Sequence, residues 1–182
     1  LYNRGITTEE EMERYFTFSD KDVSDPRLFG ETQLLAGVRE LATALMIGKR
    51  ILVIVDADCD GFTSAACLIN FCYHYFPAST ITCIHWYLHD GKQHGLRDCI
   101  DIAMEYDLII CPASASNDVE EHKRLKEAGK VVLVLDHHDI EGELSQDAII
   151  INNQVSDYPN KFLSGVGVTW QFCRFMEQGM TG

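Results

Sequence analysis

Three aspartates at alternate positions, Asp56, Asp58 and Asp60, stand directly after an apolar run of five residues. Carboxylates held this close repel one another and raise one another's pKa, so the cluster is costly unless a bound cation relieves the repulsion. The competing interpretation is a helix cap, which needs only one of the three. Because carboxylate oxygens next to imidazole nitrogens suit Mn²⁺, Mg²⁺ or a related ion, we predict a divalent metal site here.

A second polar cluster, Asp136, His137 and His138, ends another apolar run. One buried histidine is usually a core residue, but two adjacent ones beside aspartates indicate a metal ligand and a group that faces a substrate. Neighbouring side chains at a strand end point in different directions, so we expect the two imidazoles to have different roles. A metal-bound hydroxide could attack phosphorus while the second imidazole stabilises the phosphate charge or passes a proton.

Two turns that open predicted helices are candidate contacts for a phosphate. Gly61 would offer backbone N–H groups and a helix dipole to an anion, with the Ser64 hydroxyl nearby; a plain helix N-terminus is the alternative. Ser164 and Gly165 precede the last predicted helix, where close helix packing would explain the glycine equally well. His94 lies in a loop after a predicted strand, and a substrate contact and a solvated loop are equally good interpretations.

Apolar runs of strand length alternate with stretches of helical spacing from residue 51 onward. The runs are nearly continuous and rich in β-branched residues, which indicates strands buried on both faces of a sheet. We therefore predict an α/β fold, doubly wound, with a mainly parallel five-stranded sheet and helices on both faces. The predicted strands span 51–55, 81–88, 108–110, 131–135 and 148–151, and the helices between and after them span 61–76, 97–105, 117–128 and 166–176.

The predicted fold brings both polar clusters to one place. In open α/β sheets, ligands bind beyond the carboxyl ends of the strands, at the point where the strand order reverses. Asp56 follows the first predicted strand and Asp136 follows the fourth, so we expect them at the same edge.

The N-terminal part of the chain is predicted to be helical. Residues 1–48 form a helical lead-in packed on the α/β metal-binding domain of residues 49–182, with a helix over 34–45 that stops at Gly48. Thr7 with Glu10, and Asn117 with Glu120, have the spacing of a capping box and predict two helix starts.

Composition limits the classes of partner. The formal net charge of −13 lacks the basic footprint of a free-standing nucleic-acid binder, although bound cations would neutralise part of it. No apolar run is long enough to span a bilayer, so no membrane partner is expected. Seven cysteines without a C-x-x-C pair argue against a thiolate zinc site and favour reduced core thiols, so we expect a cytoplasmic protein.

The ordered set of motifs resembles the DHH phosphoesterase family and, within it, the RecJ-like single-strand exonucleases. The residues 54–64 around the aspartates resemble the family's first motif, and 134–138 resemble the motif that gives the family its name. Segments 3–7, 94–96 and 163–168 match in order and spacing. The resemblance covers nearly the whole chain.

Membership of this family implies a dinuclear centre, usually of Mn²⁺. Asp56 and Asp58 would then serve one ion, and Asp60 and His137 the other. His138 would face the scissile phosphate, with Asp136 supporting the site. The resemblance also implies hydrolysis of phosphodiester bonds, in the RecJ-like branch from the 5′ end of single-stranded DNA.

The sequence departs from the family pattern in two ways. After the third predicted strand the family places an aspartate that bridges both ions, and the matching position here is Ala113. Loss of that carboxylate is expected to weaken metal binding and impair turnover. The chain is also expected to be truncated before the family's last acidic ligand and its C-terminal substrate-binding domain.

Three functional hypotheses remain open from the sequence. The first is a RecJ-like exonuclease acting on single-stranded DNA, with reduced activity. The second is a DHH phosphodiesterase acting on short oligonucleotides or cyclic dinucleotides, which suits the acidic charge better. The third is an inactive nucleotide-binding or partner-binding module, for which Ala113 is the best argument. The oligomeric state cannot be read from the sequence.

Overall fold

The computed structural model describes residues 1–91 and 93–181; Gly182, which closes the predicted α/β domain, lies outside the described residues. The strands are β1 (Ile51–Val55), β2 (Ile84–Leu88), β3 (Leu108–Pro112), β4 (Val131–Asp136) and β5 (Ile149–Asn152). They form one five-stranded sheet in the order β2-β1-β3-β4-β5, and every pair of neighbours is parallel.

Helices connect the strands and precede the sheet. The α-helices are α1 (Glu9–Phe16), α2 (Glu31–Ile47), α3 (Cys59–Tyr75), α4 (Ala78–Ile81), α5 (Ile100–Ala103), α6 (Val119–Glu127) and α7 (Gly165–Thr181). Helix α2 ends at Gly48, as predicted, because this residue adopts a left-handed conformation with φ +70°. Among the described residues, no helix is both long and apolar enough to cross a bilayer.

The core lies in two layers, one on each face of the sheet. Side chains alternate along a strand, so Val53 faces the layer formed with α2, α3 and α7, whereas Ile54 faces the layer formed with α5 and α6. Leu34 of α2 and Phe172 of α7 are fully buried in the first layer, and burial of such a side chain contributes about 1.5–3 kcal/mol. The predicted doubly wound fold is confirmed.

The sheet order creates one point at which the chain reverses direction across the sheet. From β1 the chain moves to the edge strand β2 on one side and then crosses to β3 on the other. Ligands bind at such a point, beyond the carboxyl ends of the strands. Asp56 follows β1, Ala113 follows β3 and Asp136 ends β4, so all three lie at this edge.

Several predicted element boundaries were wrong. The first capping box is formed by Thr8 and Glu11, one residue later than predicted, and α1 contributes no buried residue. Strand β2 begins at Ile84, because the preceding residues form α4 after Pro77. The predicted box of Asn117 and Glu120 does not form, since α6 begins only at Val119.

Candidate metal centre

Three carboxylate–imidazole pairs lie side by side at the carboxyl edge of the sheet. The N···O distances are 2.6 Å for Asp56–His94, 3.1 Å for Asp60–His137 and 2.7 Å for Asp136–His138. The ring of His138 lies between the other two, 5.2 Å from the ring of His94 and 4.5 Å from that of His137, measured between centroids. The segments after β1, β2 and β4 and the start of α3 thus supply acids and bases to one small region.

Asp56 is the most deeply buried acid of the aspartate series, with 2% of its surface exposed. Its Oδ1 accepts a hydrogen bond from the Gly95 amide at 3.4 Å and lies 3.5 Å from His89 Nε2. Its Oδ2 contacts His94 but makes no hydrogen bond with acceptable geometry to any described residue. The Asp56 carboxylate raises the pKa of His94 through this contact, so the oxygen is placed to accept either a protonated imidazole or a cation.

Asp58 and Asp60 stand at the start of α3. Asp58 is exposed and caps the helix, because its Oδ1 accepts the Gly61 amide at 2.7 Å. Asp60 instead reaches α7, where the amides of Gly165 and Val166 donate to its two oxygens at 2.7 and 3.0 Å. The helix α7 N-terminus and His137 therefore hold the Asp60 carboxylate from two sides.

The Asp136 carboxylate is a fixed anion at the end of β4. It accepts hydrogen bonds from the Ser116 amide, the His137 amide and His138 Nδ1. Burial alone would raise its pKa, but these donors, led by His138, lower the pKa of Asp136 to about 2. In return, the hydrogen bond that His138 donates to Asp136 raises the pKa of His138 and so favours its protonated form.

The predicted metal ligands are not all brought to one point. Within residues 1–91 and 93–181, one trio of histidine and acidic side chains has a ligand atom from each member within 4.8 Å of the others: Asp136, His137 and His138. Asp60 adjoins this trio through His137, whereas Asp56 faces His94. Carboxylate and imidazole donors of this kind suit a divalent ion, and Asp56 Oδ2, which faces His94, is a further oxygen donor.

Ala113, where the family resemblance predicts a bridging aspartate, has an unusual backbone. Its φ is +74°, in the left-handed region that disfavours most side chains but that Asn and Asp adopt more readily. The Ala113 amide donates to the Leu135 carbonyl at 2.8 Å, so the backbone is fixed by its place between β3 and β4. The conformation therefore suits an aspartate, although the side chain is a methyl group.

The two predicted glycine contacts are also needed for packing. A Cβ at Gly61 would lie 2.5 Å from the Asp56 carbonyl oxygen, and one at Gly165 would lie 2.3 Å from Ala113 Cβ. These contacts leave no space for a side chain at either position. Packing thus explains both glycines, and their role as substrate contacts stays a prediction.

The remaining predicted substrate contacts differ in their surroundings. Ser64 is buried on α3, and its hydroxyl makes no hydrogen bond to a described residue. Ser164 is exposed, and its hydroxyl accepts the Gly167 amide at 3.4 Å. His94 is about half exposed and borders a 360 Å³ cavity that His138 also lines. The other lining residues include four acids, Asp118, Asp136, Asp139 and Glu141.

Two residues at this edge were missed in the sequence analysis. The His89 ring donates through Nε2 to the Gly95 carbonyl at 2.8 Å, and Asp118 accepts the Leu96 amide at 2.7 Å. Both therefore hold the turn next to His94. The chain order gives no signal for these contacts, because Asp118 is 22 residues from Leu96 and resembles an ordinary helix cap.

The fold and the edge cluster define a DHH-type domain. The chain matches the family described as "DHH family, N-terminal domain" over residues 50–181, and it belongs to this family. Its relatives include the single-strand DNA-specific exonuclease YorK of the Bacillus subtilis SPbeta prophage, which is 39% identical over 132 residues. RecJ of Bacillus subtilis, a single-stranded-DNA-specific exonuclease, is 26% identical over 178 residues.

These relatives are much longer than the present chain. The matched regions cover 71% of this chain for YorK and 94% for RecJ, but only 22% of each relative. A crystal structure of exonuclease RecJ bound to manganese has the same fold, with a TM-score of 0.70 at 22% identity. That match covers 82% of this chain and 38% of the RecJ chain.

Proposed function

We propose that this chain is the metal-binding part of a RecJ-like phosphodiesterase that hydrolyses single-stranded DNA with Mn²⁺. The observation that carries this proposal is the row of three carboxylate–imidazole pairs at the edge where the sheet order reverses. The names of the relatives as single-strand DNA exonucleases support the substrate class.

The donors present fit a divalent cation. Asp56 and Asp58 would hold one ion, and Asp60 and His137 would hold the other; Mg²⁺ is a chemically related alternative to Mn²⁺. A bound ion of this type supplies a Lewis acid and a nucleophilic water near neutral pH. Two ions are expected in an intact site of the family, but the bridging carboxylate is replaced here by the Ala113 methyl group.

His138 is the residue we assign to the substrate phosphate. Its Nδ1 is engaged by Asp136 at 2.7 Å, which leaves Nε2 available to a ligand. The same hydrogen bond raises the pKa of His138, so the ring carries a positive charge more readily near neutral pH. A positive imidazolium would bind the scissile phosphate, and Asp136 would keep it oriented.

Ala113 is expected to impair this activity. The Ala113 methyl group and Asp60 Oδ2 both border Gly165, since a Cβ at Gly165 would come within 2.3 Å of one and 2.9 Å of the other. An aspartate at position 113 would therefore add its carboxylate close to Asp60. Without it, we expect weaker metal binding and slow turnover.

A second candidate is hydrolysis of short oligonucleotides or cyclic dinucleotides. The formal net charge of −13 and the acidic lining of the cavity beside His138 disfavour a long polyanion. A third candidate is a nucleotide-binding or partner-binding module without activity, which the loss of the carboxylate at position 113 favours.

One set of variants separates the three candidates. Ala113→Asp adds the carboxylate, and Ala113→Asn is the matched control, because it suits the same backbone without the charge. Mn²⁺-dependent hydrolysis is measured on 5′-labelled single-stranded DNA, a dinucleotide and a cyclic dinucleotide. We expect Ala113→Asp alone to hydrolyse single-stranded DNA faster than the unmodified chain.

Two other outcomes would each support one of the remaining candidate functions. Hydrolysis of only the small substrates would support the second candidate. Mn²⁺ binding without hydrolysis of any substrate by any of the three proteins would support the third.

A further inference from the structure

Asp118 stands at the N-cap position of α6 but does not cap that helix. An aspartate at this position usually accepts a hydrogen bond from an amide two or three residues later. Here no such bond forms. Instead, Asp118 Oδ2 accepts the amide of Leu96 at 2.7 Å, 22 residues earlier in the chain. A tertiary contact has therefore replaced the local one.

The contact fixes a tight turn next to His94. Gly95 has φ +68°, and a Cβ there would lie only 2.3 Å from Asp118 Oδ2. The same glycine is held by His89, which donates to its carbonyl at 2.8 Å, and by Asp56, which accepts its amide at 3.4 Å. Three side chains from three segments thus hold two consecutive peptide groups.

This arrangement is unfavourable for Asp118 itself. Burial raises the pKa of Asp118, and the Leu96 amide only partly offsets that effect. Within the described parts of the chain, no lysine, arginine or histidine forms an ion pair with it. Arg97 and His94 lie near enough to lower its pKa, but neither forms a direct ion pair with it. A carboxylate that gives up a helix cap for a partly buried contact of this kind needs a further reason to be there.

We propose that Asp118 is a positioning residue that fixes the Gly95–Leu96 turn and thereby holds the His94 imidazole against Asp56 and beside His138. His94 precedes the fixed turn directly, its Nδ1 lies 2.6 Å from Asp56 Oδ2, and its ring is 5.2 Å from that of His138. His94, Asp118 and His138 all line the 360 Å³ cavity at this edge. The catalytic consequence rests on the proposed phosphodiesterase function, whereas the positioning does not.

Two substitutions of Asp118 separate positioning from helix stability. Asp118→Asn keeps an acceptor oxygen at the same reach and removes the charge. Asp118→Ser keeps a residue that caps α6 well, but its shorter side chain cannot reach the Leu96 amide. Asp98→Ala is the matched control, because Asp98 is an exposed acid in the short 3-10 helix that follows Leu96.

The first measurement uses metal-free protein and needs no activity. We expect an NMR cross-peak between the ring protons of His94 and His138 in the unmodified chain, Asp118→Asn and Asp98→Ala. In Asp118→Ser the cross-peak should be lost while the circular dichroism spectrum stays the same. A cross-peak that persists in a folded Asp118→Ser protein, or is lost in a folded Asp118→Asn protein, would overturn the proposal.

A second readout uses the unmodified chain and covers the case in which Asp118→Ser does not fold. The Leu96 amide should exchange slowly with solvent deuterium, because it is bonded to a partly buried carboxylate. Exchange as fast as that of an exposed loop amide would overturn the proposal.

The third measurement concerns catalysis in the Ala113→Asp background. We expect His94→Ala and Asp118→Ser each to lower kcat/KM for single-stranded DNA by at least tenfold, and the double variant to be no slower than His94→Ala alone. Multiplicative losses would contradict action through His94. If Ala113→Asp is itself inactive, the proposed function fails, while the cross-peak still decides the positioning.

Discussion

Replacement of Gly165 by alanine tests how the start of α7 fits against the metal-binding edge. A Cβ at this position would lie 2.3 Å from Ala113 Cβ and 2.8 Å from Ala113 Cα. Because one of these is a backbone atom, no side-chain rotation can relieve the contact. The start of the helix would have to move, and with it the two amides that donate to Asp60.

The expected loss of stability follows from two effects. Overpacking of a closed contact costs about 1–3 kcal/mol. Complete loss of one hydrogen bond to the charged Asp60 carboxylate would cost about 1.5–3 kcal/mol more. Since the helix can shift to relieve part of the clash, we expect a decrease of about 2–4 kcal/mol in the free energy of unfolding.

Gly179→Ala is the matched control in the same helix. A Cβ at Gly179 meets no atom within 4 Å, so this alanine should stabilise α7 by about 0.5–1 kcal/mol. Urea unfolding followed by circular dichroism measures both variants, and Mn²⁺ titration of the folded proteins should show weaker binding only for Gly165→Ala. Equal stability of the two variants would refute the close fit of Gly165 against Ala113.

Two further predictions concern backbone strain and pH. Ala113→Gly should raise the free energy of unfolding by about 1 kcal/mol, because φ +74° is unfavourable for alanine; unchanged or lower stability in urea would contradict this. Burial lowers the pKa of His122 to about 4, whereas an unfolded histidine has a pKa of about 6.5. The unfolded chain thus binds the proton first as pH falls from 6.5 towards 4, so stability should decrease across that range by up to about 3 kcal/mol relative to His122→Leu. Parallel pH profiles for the two proteins would rule this out.

The elements that position the site could be predicted because their signals are local. The apolar run 51–55 is too continuous for a surface strand, and Gly48 ends the preceding helix through its own backbone conformation. The same pattern placed Asp56 and Asp136 at one edge, since parallel strands end together.

The contacts that complete the site could not be predicted, because they depend on distant segments. The amides that hold Asp60 come from Gly165 and Val166, more than 100 residues later. Asp118 resembles a helix cap in the sequence, but in the fold it accepts a hydrogen bond from the distant Leu96 amide instead. The close approach of His94 to Asp56 follows from that turn.

The central claim is that this edge binds a divalent metal ion, and calorimetric titration with Mn²⁺ tests it most directly. The titration compares the Ala113→Asp chain with the same chain carrying Asp60→Asn, and Asp101→Asn serves as control because Asp101 is exposed on α5. We predict saturable Mn²⁺ binding by Ala113→Asp, unchanged by Asp101→Asn and weakened by Asp60→Asn by at least about 10–100-fold, which is the loss caused by removing only an outer partner of a metal ligand. No Mn²⁺ binding by Ala113→Asp, or equal binding with and without Asp60→Asn, would contradict the metal centre.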